Sequence, residues 1–476
     1  MSAFIAKYAV WILLVLGIVT RFAWFWYPAN VVWDEQHFCN FTTGYLNGKY
    51  FFDIHPPLGK LMLLAGLKAT SAATENLDCT IGTPYPEDYP YVAARALPTL
   101  AGALLPLVVY LLGRSLRLTP ATAFFAAALI LLDNAILAES RFALIDIFVP
   151  FFACLALLGF LKYRVADLGS HARPLWLAIS AICAALALGT KWTGGGSLLV
   201  IVIATVLEAA ERKSPKLVLA RLIPFGAIIA AVYLSLFALH FWLLPKSGTG
   251  DAFMTPGFRA SLAGTSEQQK GELRPLGFFA KTLELNTKMF NVNAAQKLTH
   301  QDSSRFYEWP VGRKQIYFWV SKDDGMKRIY LRANPIVWLF GTVLTLGSIL
   351  YLLFRRHAIQ RFSTANPEWK TRMRTLEFLF LVYVVNWLPF AAITRAMFLY
   401  HYFTSLIASV LIGAFLLFEL VPALEDTSSP DHGDSKPAQA PSVTASGYLY
   451  WIVLALALVA FILFTPLSYG FKPFFG

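Results

Sequence analysis

Charge is what this chain has least of. Of its 476 residues only 14% are Asp, Glu, Lys or Arg, where a soluble domain carries roughly a quarter, and 57% are hydrophobic. That balance excludes an ordinary soluble enzyme and points to a chain lying mostly in a bilayer. Cysteine is also scarce: there are four, with no CxxC pair and no zinc-type spacing, so redox-centre and zinc frameworks drop out. Cys154 and Cys183 sit inside apolar runs as small hydrophobes. Cys39 and Cys79 share a polar segment where an oxidising compartment would permit a bond, and the expectation is that they stay unpaired. No small-x-small cleavage site follows the first apolar run, which is therefore read as a retained span and not a leader. No Gly-rich strand–turn–helix loop for phosphate is present; Gly194-Gly195-Gly196 instead permits close helix approach.

What the chain has in quantity is long apolar runs. Hydropathy gives about eleven spans of the length a bilayer needs, near 8–27, 92–113, 119–137, 143–162, 175–190, 194–209, 221–243, 335–354, 375–393, 400–421 and 448–466. The expected fold is an all-α polytopic membrane protein forming a single bundle over residues 1–476. Two long polar segments, 28–91 and 244–334, carry interfacial helices, LGKLMLLAGL among them. The stretch 422–447, rich in Ser, Pro, Asp and Ala, reads as a disordered linker. The net charge of +12 belongs to cytoplasmic loops and not to a nucleic-acid surface. With the N-terminus inside, Arg114 and Arg117, then Lys162, Arg164 and Arg173, then Arg212, Lys213, Lys216 and Arg221 fall on the inner side, and both long polar segments face outward.

Four cations defy that bias. Arg95, Arg141, Lys191 and Arg395 fall on the outer face, where each alone could snorkel to headgroups; together they suit a shared anionic ligand, a lipid-linked phosphate. Asp133, Asn134 and Asp146 lie at membrane depth within about two turns of the outer turn that holds Glu139 and Arg141, where ionisable groups are costly and usually paired or functional; an Asp146–Arg141 pair holding helices together is the structural alternative. The first outer segment packs Asp34, Glu35, His37, Asp53 and His55 into about twenty residues, enough for a carboxylate to accept the proton of an attacking hydroxyl. Helix-start acids would look the same, so spacing alone leaves Asp34-Glu35 an even choice. The second outer segment offers His300 and Trp309 beside an acceptor, and the last outer turn adds His401, six residues after Arg395. No metal is expected. Asn40-Phe41-Thr42 forms a sequon beside the carboxylates and is expected to remain unmodified.

VVWDEQHF, YFFDIHPPLGK, LLDNAILAESRFALIDIF, LGTKWTG, SGTGDAFM, SSRFYEWP, RANP, LPFAAITRAMFLYHY and the closing TPLSYG follow one another from residue 31 to 470. In that order they resemble the protein O-mannosyltransferases, polytopic inverting glycosyltransferases. The resemblance implies a mannosyl donor on a polyprenyl or dolichyl phosphate, a Ser or Thr hydroxyl of a protein as acceptor on the outer face, and no cofactor or divalent metal. It assigns Asp34 as catalytic base, Glu35 as a holder of acceptor or sugar, and Arg95 as an important arginine. Lys191, Arg141, Arg395, His55, Asp146 and His401 are the remaining candidates for the donor phosphate and sugar. Two departures stand out. The segment 244–334 has no room for the MIR domain of eukaryotic members, which implies a compact bacterial-type enzyme of the plasma membrane, the endoplasmic reticulum membrane being the location if the chain is eukaryotic. Arg305, Phe306 and Glu308 replace an expected Pro, Trp and Ser. The alternatives are a related transferase acting on a lipid or polysaccharide and a lipid-phosphate transporter; the latter normally shows inverted repeats, which this sequence lacks.

Overall fold

The computed structural model describes residues 2–70, 77–167, 169–296, 299–362, 367–420 and 445–474. The expected linker therefore lies almost wholly outside the described residues. Helices follow at nearly every expected span: α1 Ser2–Phe22, α2 Glu35–Asn47, α3 Leu58–Lys68, α4 Tyr91–Ser115, α5 Pro120–Leu131, α6 Asn134–Ser140, α7 Phe148–Val165 and α8 Ala172–Thr190. After these come α9 Gly195–Glu211, α10 Lys216–Leu243, α11 Pro256–Arg259, α12 Ser266–Lys270, α13 Phe278–Ala295, α14 Pro335–Phe362, α15 Pro367–Trp387, α16 Phe403–Phe415 and α17 Ala445–Tyr469. Among the described residues nine helices are long and apolar enough to cross a membrane, and ten if the bent pair α5–α6 counts as one span. The eleventh expected span coincides with α14, whose described apolar stretch is Pro335–Tyr351. The chain is a multi-pass membrane protein. The all-helical expectation omitted one feature, a hairpin of β1 Ile316–Val320 against β2 Arg328–Leu331 in the second outer segment.

The bend between α5 and α6, 62°, has a local cause. Asp133 leaves the helix in an extended conformation and caps α6, accepting from Ile136 N at 2.9 Å. Its second oxygen takes Trp338 Nε1 at 2.7 Å and Asn334 N at 3.2 Å. The costly buried carboxylate thus binds α14 to the break. Close helix approach at the Gly triplet holds as well: a Cβ on Gly196 would sit 2.2 Å from Asn386 Oδ1.

The helix α3 is not an amphipathic helix lying on the surface. Leu58, Leu61, Leu63, Leu64 and Leu67 are buried, and so is Lys60, because Lys60 is neutralised internally: it pairs with Asp53 at 2.5 Å and donates to His55 O and Pro56 O at 2.9 and 3.0 Å. Cys39 and Cys79 are bonded to each other, Cα to Cα 6.1 Å, against the expectation. The chain returns on itself through Val31 N to Thr83 O (2.8 Å) and Gly82 N to Val31 O (2.9 Å), which lays the 77–85 stretch beside α2. Thr42 of the sequon is buried against Tyr89, and Asn40 Oδ1 accepts Cys79 N at 3.1 Å.

Candidate active site

Asp34 is set by a turn that only its surroundings make tolerable. Trp33 takes a left-handed backbone, φ 48°, at a cost of about 1–2 kcal/mol for a non-glycine residue. Its ring is held by Phe318 at 5.5 Å, Phe398 at 5.6 Å and His300 at 5.2 Å. The chain then enters α2 with Asp34 as its first flanking residue. Asp34 lines a cavity of about 540 Å³ together with His37, Asp53, His55, Lys191, His300, Arg395, Tyr400 and His401, a volume typical of small-ligand sites.

Of the expected site residues, the cavity brings together Asp34, His55, Lys191, His300, Arg395 and His401. Asp146 sits just behind them, holding Lys191 Nζ through both oxygens at 2.7 and 2.8 Å; its partner is Lys191 and not Arg141. Lys191 reaches inward because it ends α8 in an extended conformation, and its ammonium lies 5.0 Å from the Tyr400 ring centre. Trp309 does not reach the cavity. It is fully buried, donates to Ser304 Oγ at 2.9 Å and stacks on His401 at 5.9 Å, while His401 Nδ1 is tied to the backbone of Phe398. Trp309 therefore packs behind a cavity residue, His401, and not in the lining.

Glu35, Arg95 and Arg141 likewise lie outside the cavity lining. Glu35 and Arg95 are both fully buried and form a two-pronged pair, Nε to Oε1 at 2.7 Å and Nη2 to Oε2 at 2.8 Å. The remaining lone pairs of Glu35 accept Val32 N at 2.9 Å and Ala143 N at 2.8 Å, and Arg95 adds Pro28 O at 2.8 Å and Asn30 O at 3.2 Å. One ion pair therefore joins the exit of α1, the start of α2, α4 and the turn before α7. Arg141 is fully buried too, bonded to Ser468 O at 2.7 Å and Trp24 O at 2.6 Å. Neither arginine lines the Asp34 cavity.

The charges that remain are few. Lys60 takes Asp53 and Lys191 takes Asp146. Among the described residues the Asp34 carboxylate and the Arg395 guanidinium have no ion-pair partner, and both face the same cavity. Burial raises the Asp34 pKa above the ordinary carboxylate value, with His37 and Lys191 opposing. Burial likewise holds the His55 imidazole well below its usual value, aided by Lys191, Lys60 and Arg395, so His55 is neutral near pH 7. No group of three or more His, Cys, Asp or Glu side chains among the described residues is arranged to hold a metal ion. Tyr400 and Lys60 went unnoticed in the sequence; a lysine seven residues after Asp53 in FDIHPPLGK was the available signal for the second.

Two family models cover most of the sequence: dolichyl-phosphate-mannose-protein mannosyltransferase over residues 11–245, and the C-terminal four-span region of protein O-mannosyltransferase over 278–473. The chain belongs to the protein O-mannosyltransferase family. It is 31% identical over 279 residues to protein O-mannosyl-transferase 2 of Danio rerio, covering 56% of this chain and 36% of that protein. It is 34% identical over 267 residues to protein O-mannosyltransferase 1 of Drosophila pseudoobscura pseudoobscura, covering 53% and 29%. The chain thus spans about a third of the length of the relatives it matches. In fold it is similar to a chain of the S. cerevisiae protein O-mannosyltransferase Pmt1-Pmt2 complex bound to the sugar donor, at a TM-score of 0.81 and 18% identity over 98% of this chain and 90% of that one. It is more distantly like ArnT from Cupriavidus metallidurans, at a TM-score of 0.53 and 14% identity, covering 97% and 76%.

Proposed function

We propose that this family member transfers mannose from a polyprenyl- or dolichyl-phosphate carrier to Ser or Thr hydroxyls of proteins, in a cavity facing the outer side of the plasma membrane. The observation that carries this reading is the pair of unmatched charges in one cavity, the Asp34 carboxylate and the Arg395 guanidinium. A carboxylate without a cation is free to take a proton. A guanidinium without a carboxylate is free to take a phosphate.

In this reading the acceptor oxygen forms a bond to C1 of the sugar as the C1–O bond to phosphate breaks, with inversion at C1. The hydroxyl proton passes to Asp34. The electron pair of the broken bond leaves on the carrier phosphate, whose charge Arg395 and Lys191 offset. Lys191 can do so because Asp146 fixes its ammonium at the cavity wall. His401, braced by Trp309, and the neutral His55 supply ring N–H donors or acceptors to the sugar. His300 sits at the exposed side, toward an acceptor. The segments 28–91 and 244–334 act as one unit, since Trp33 of the first is packed on Phe318 and His300 of the second.

The test is Asp34→Asn in the purified full chain, supplied with polyprenyl-phosphate-mannose and a Ser/Thr peptide. The amide keeps the shape and cannot accept the proton, so transfer is expected to fall by at least about a hundredfold. Unchanged transfer removes Asp34 from this role.

A further inference from the structure

At the other end of the bundle from Asp34 lies a second cavity, of about 240 Å³, between the last turns of α4, α7 and α9 and the first turns of α15. Its lining carries Arg117, Arg164, Arg212 and Arg374 against one carboxylate, Glu208. Inner loops are basic in any polytopic protein; here four of those arginines share the lining of one cavity, Arg212 and Arg374 with their side chains half or more exposed.

The local charges do not cancel. Glu208 is already shared by Arg221 at 3.0 Å, Arg212 at 2.9 Å and Arg164 at 3.2 Å. Arg374 meets Glu211 at 2.7 Å. These five arginines and two glutamates leave an excess of three positive charges among the described residues. The C-terminal ends of three helices offset about half a charge each, which leaves the cavity positive. The Arg117 guanidinium has no partner among the described residues, and its backbone is left-handed at φ 66°, a conformation costing about 1–2 kcal/mol outside glycine. Ser115 Oγ, also in the lining, is buried without a hydrogen-bond partner, and Thr371 and Thr375 of α15 complete the polar lining, the Thr375 hydroxyl donating to Leu116 O and Thr371 O.

We propose that this cavity is a second anion site, binding a phosphate group through Arg117, Arg212 and Arg374 with the Ser115 hydroxyl. Guanidinium forks match phosphate oxygens in pairs, and the cavity is sized for a headgroup and not for a sugar-lipid. Its place at the helix ends admits two sources of the same chemistry, the phosphate of an anionic lipid in the leaflet opposite Asp34 or free inorganic phosphate. Neither requires the transfer reaction, so the site stands apart from the catalytic reading.

The experiment follows thermal unfolding of the full chain in detergent while phosphatidylglycerol, phosphatidylcholine or inorganic phosphate is added. A saturable rise in the midpoint is expected with phosphatidylglycerol, and with inorganic phosphate if the free ion suffices; phosphatidylcholine gives none. The double variant Arg117→Gln/Arg374→Gln, both at exposed positions, weakens that binding at least tenfold. Arg173→Gln, a charge lost at the same end of the bundle but outside the cavity lining, leaves it unchanged. The proposal is overturned if the double variant binds as the native chain does, if Arg173→Gln weakens binding equally, or if phosphatidylcholine produces the same shift.

Discussion

Replacing Glu35 by alanine leaves the Arg95 guanidinium fully buried with no counter-charge. In the native chain four donors converge on this carboxylate, two from Arg95 at 2.7 and 2.8 Å and two backbone N–H groups at 2.9 and 2.8 Å. Removing one member of a fully buried pair costs about 3–5 kcal/mol, because the survivor cannot be resolvated. That is a factor of roughly a hundred to several thousand in the population of the intact outer segment. Glu35→Gln keeps the shape and one acceptor oxygen, so its loss should be smaller. Paired replacement by Glu35→Leu with Arg95→Met removes both charges and should recover part of the stability. The assay is thermal unfolding in detergent alongside transfer activity: Glu35→Ala should lose both together, and its residual folded fraction should keep the donor KM. An alanine variant that unfolds like the native chain but transfers nothing would refute the reasoning, because it would place Glu35 in the chemistry and not beneath it.

Further outcomes follow from the same structure. Because burial raises the Asp34 pKa and the base must be ionised, the transfer rate should fall as pH drops through a value above the ordinary carboxylate range; a rate that holds its plateau down into that ordinary range would separate Asp34 from the limiting step. For folding the sign is opposite, since a carboxyl with a raised folded-state pKa contributes stability at low pH that is lost as pH rises through that value. The Cys39–Cys79 bond closes a separation of 40 residues, worth about 4 kcal/mol in the chain-entropy account. Cys39→Ser should therefore lower the unfolding midpoint, and alkylation of the unreduced, unfolded chain should label Cys154 and Cys183 alone.

The spans were legible because the bilayer imposes a single strong rule, some twenty apolar residues with every backbone group bonded internally. The bend at Asp133 was legible only as an anomaly. A carboxylate at membrane depth could be functional or structural, and what decides between them, Trp338 and Asn334 about two hundred residues away, leaves no local trace. The disulfide escaped for the same reason: nothing near Cys39 or Cys79 announces that Val31 pairs with the 82–83 turn.

The candidate site shows where one-dimensional reasoning stops. Placing Arg95, Arg141, Lys191 and Arg395 on one membrane face required only the count of spans, and all four were then equally good phosphate ligands. The fold separates them by what already satisfies them. Arg95 is consumed by Glu35, Arg141 by the carbonyls of Ser468 and Trp24, and Lys191 by Asp146, while among the described residues Arg395 has no ion-pair partner. Buried charges with protein partners at 2.6–2.8 Å build the walls, and a charge left over in a cavity is what a substrate can use. By that criterion the same inner wall that makes Lys191 rigid also makes it a weaker anion ligand than Arg395. Loss of Arg395 should therefore weaken donor binding more than loss of any other cation on that face.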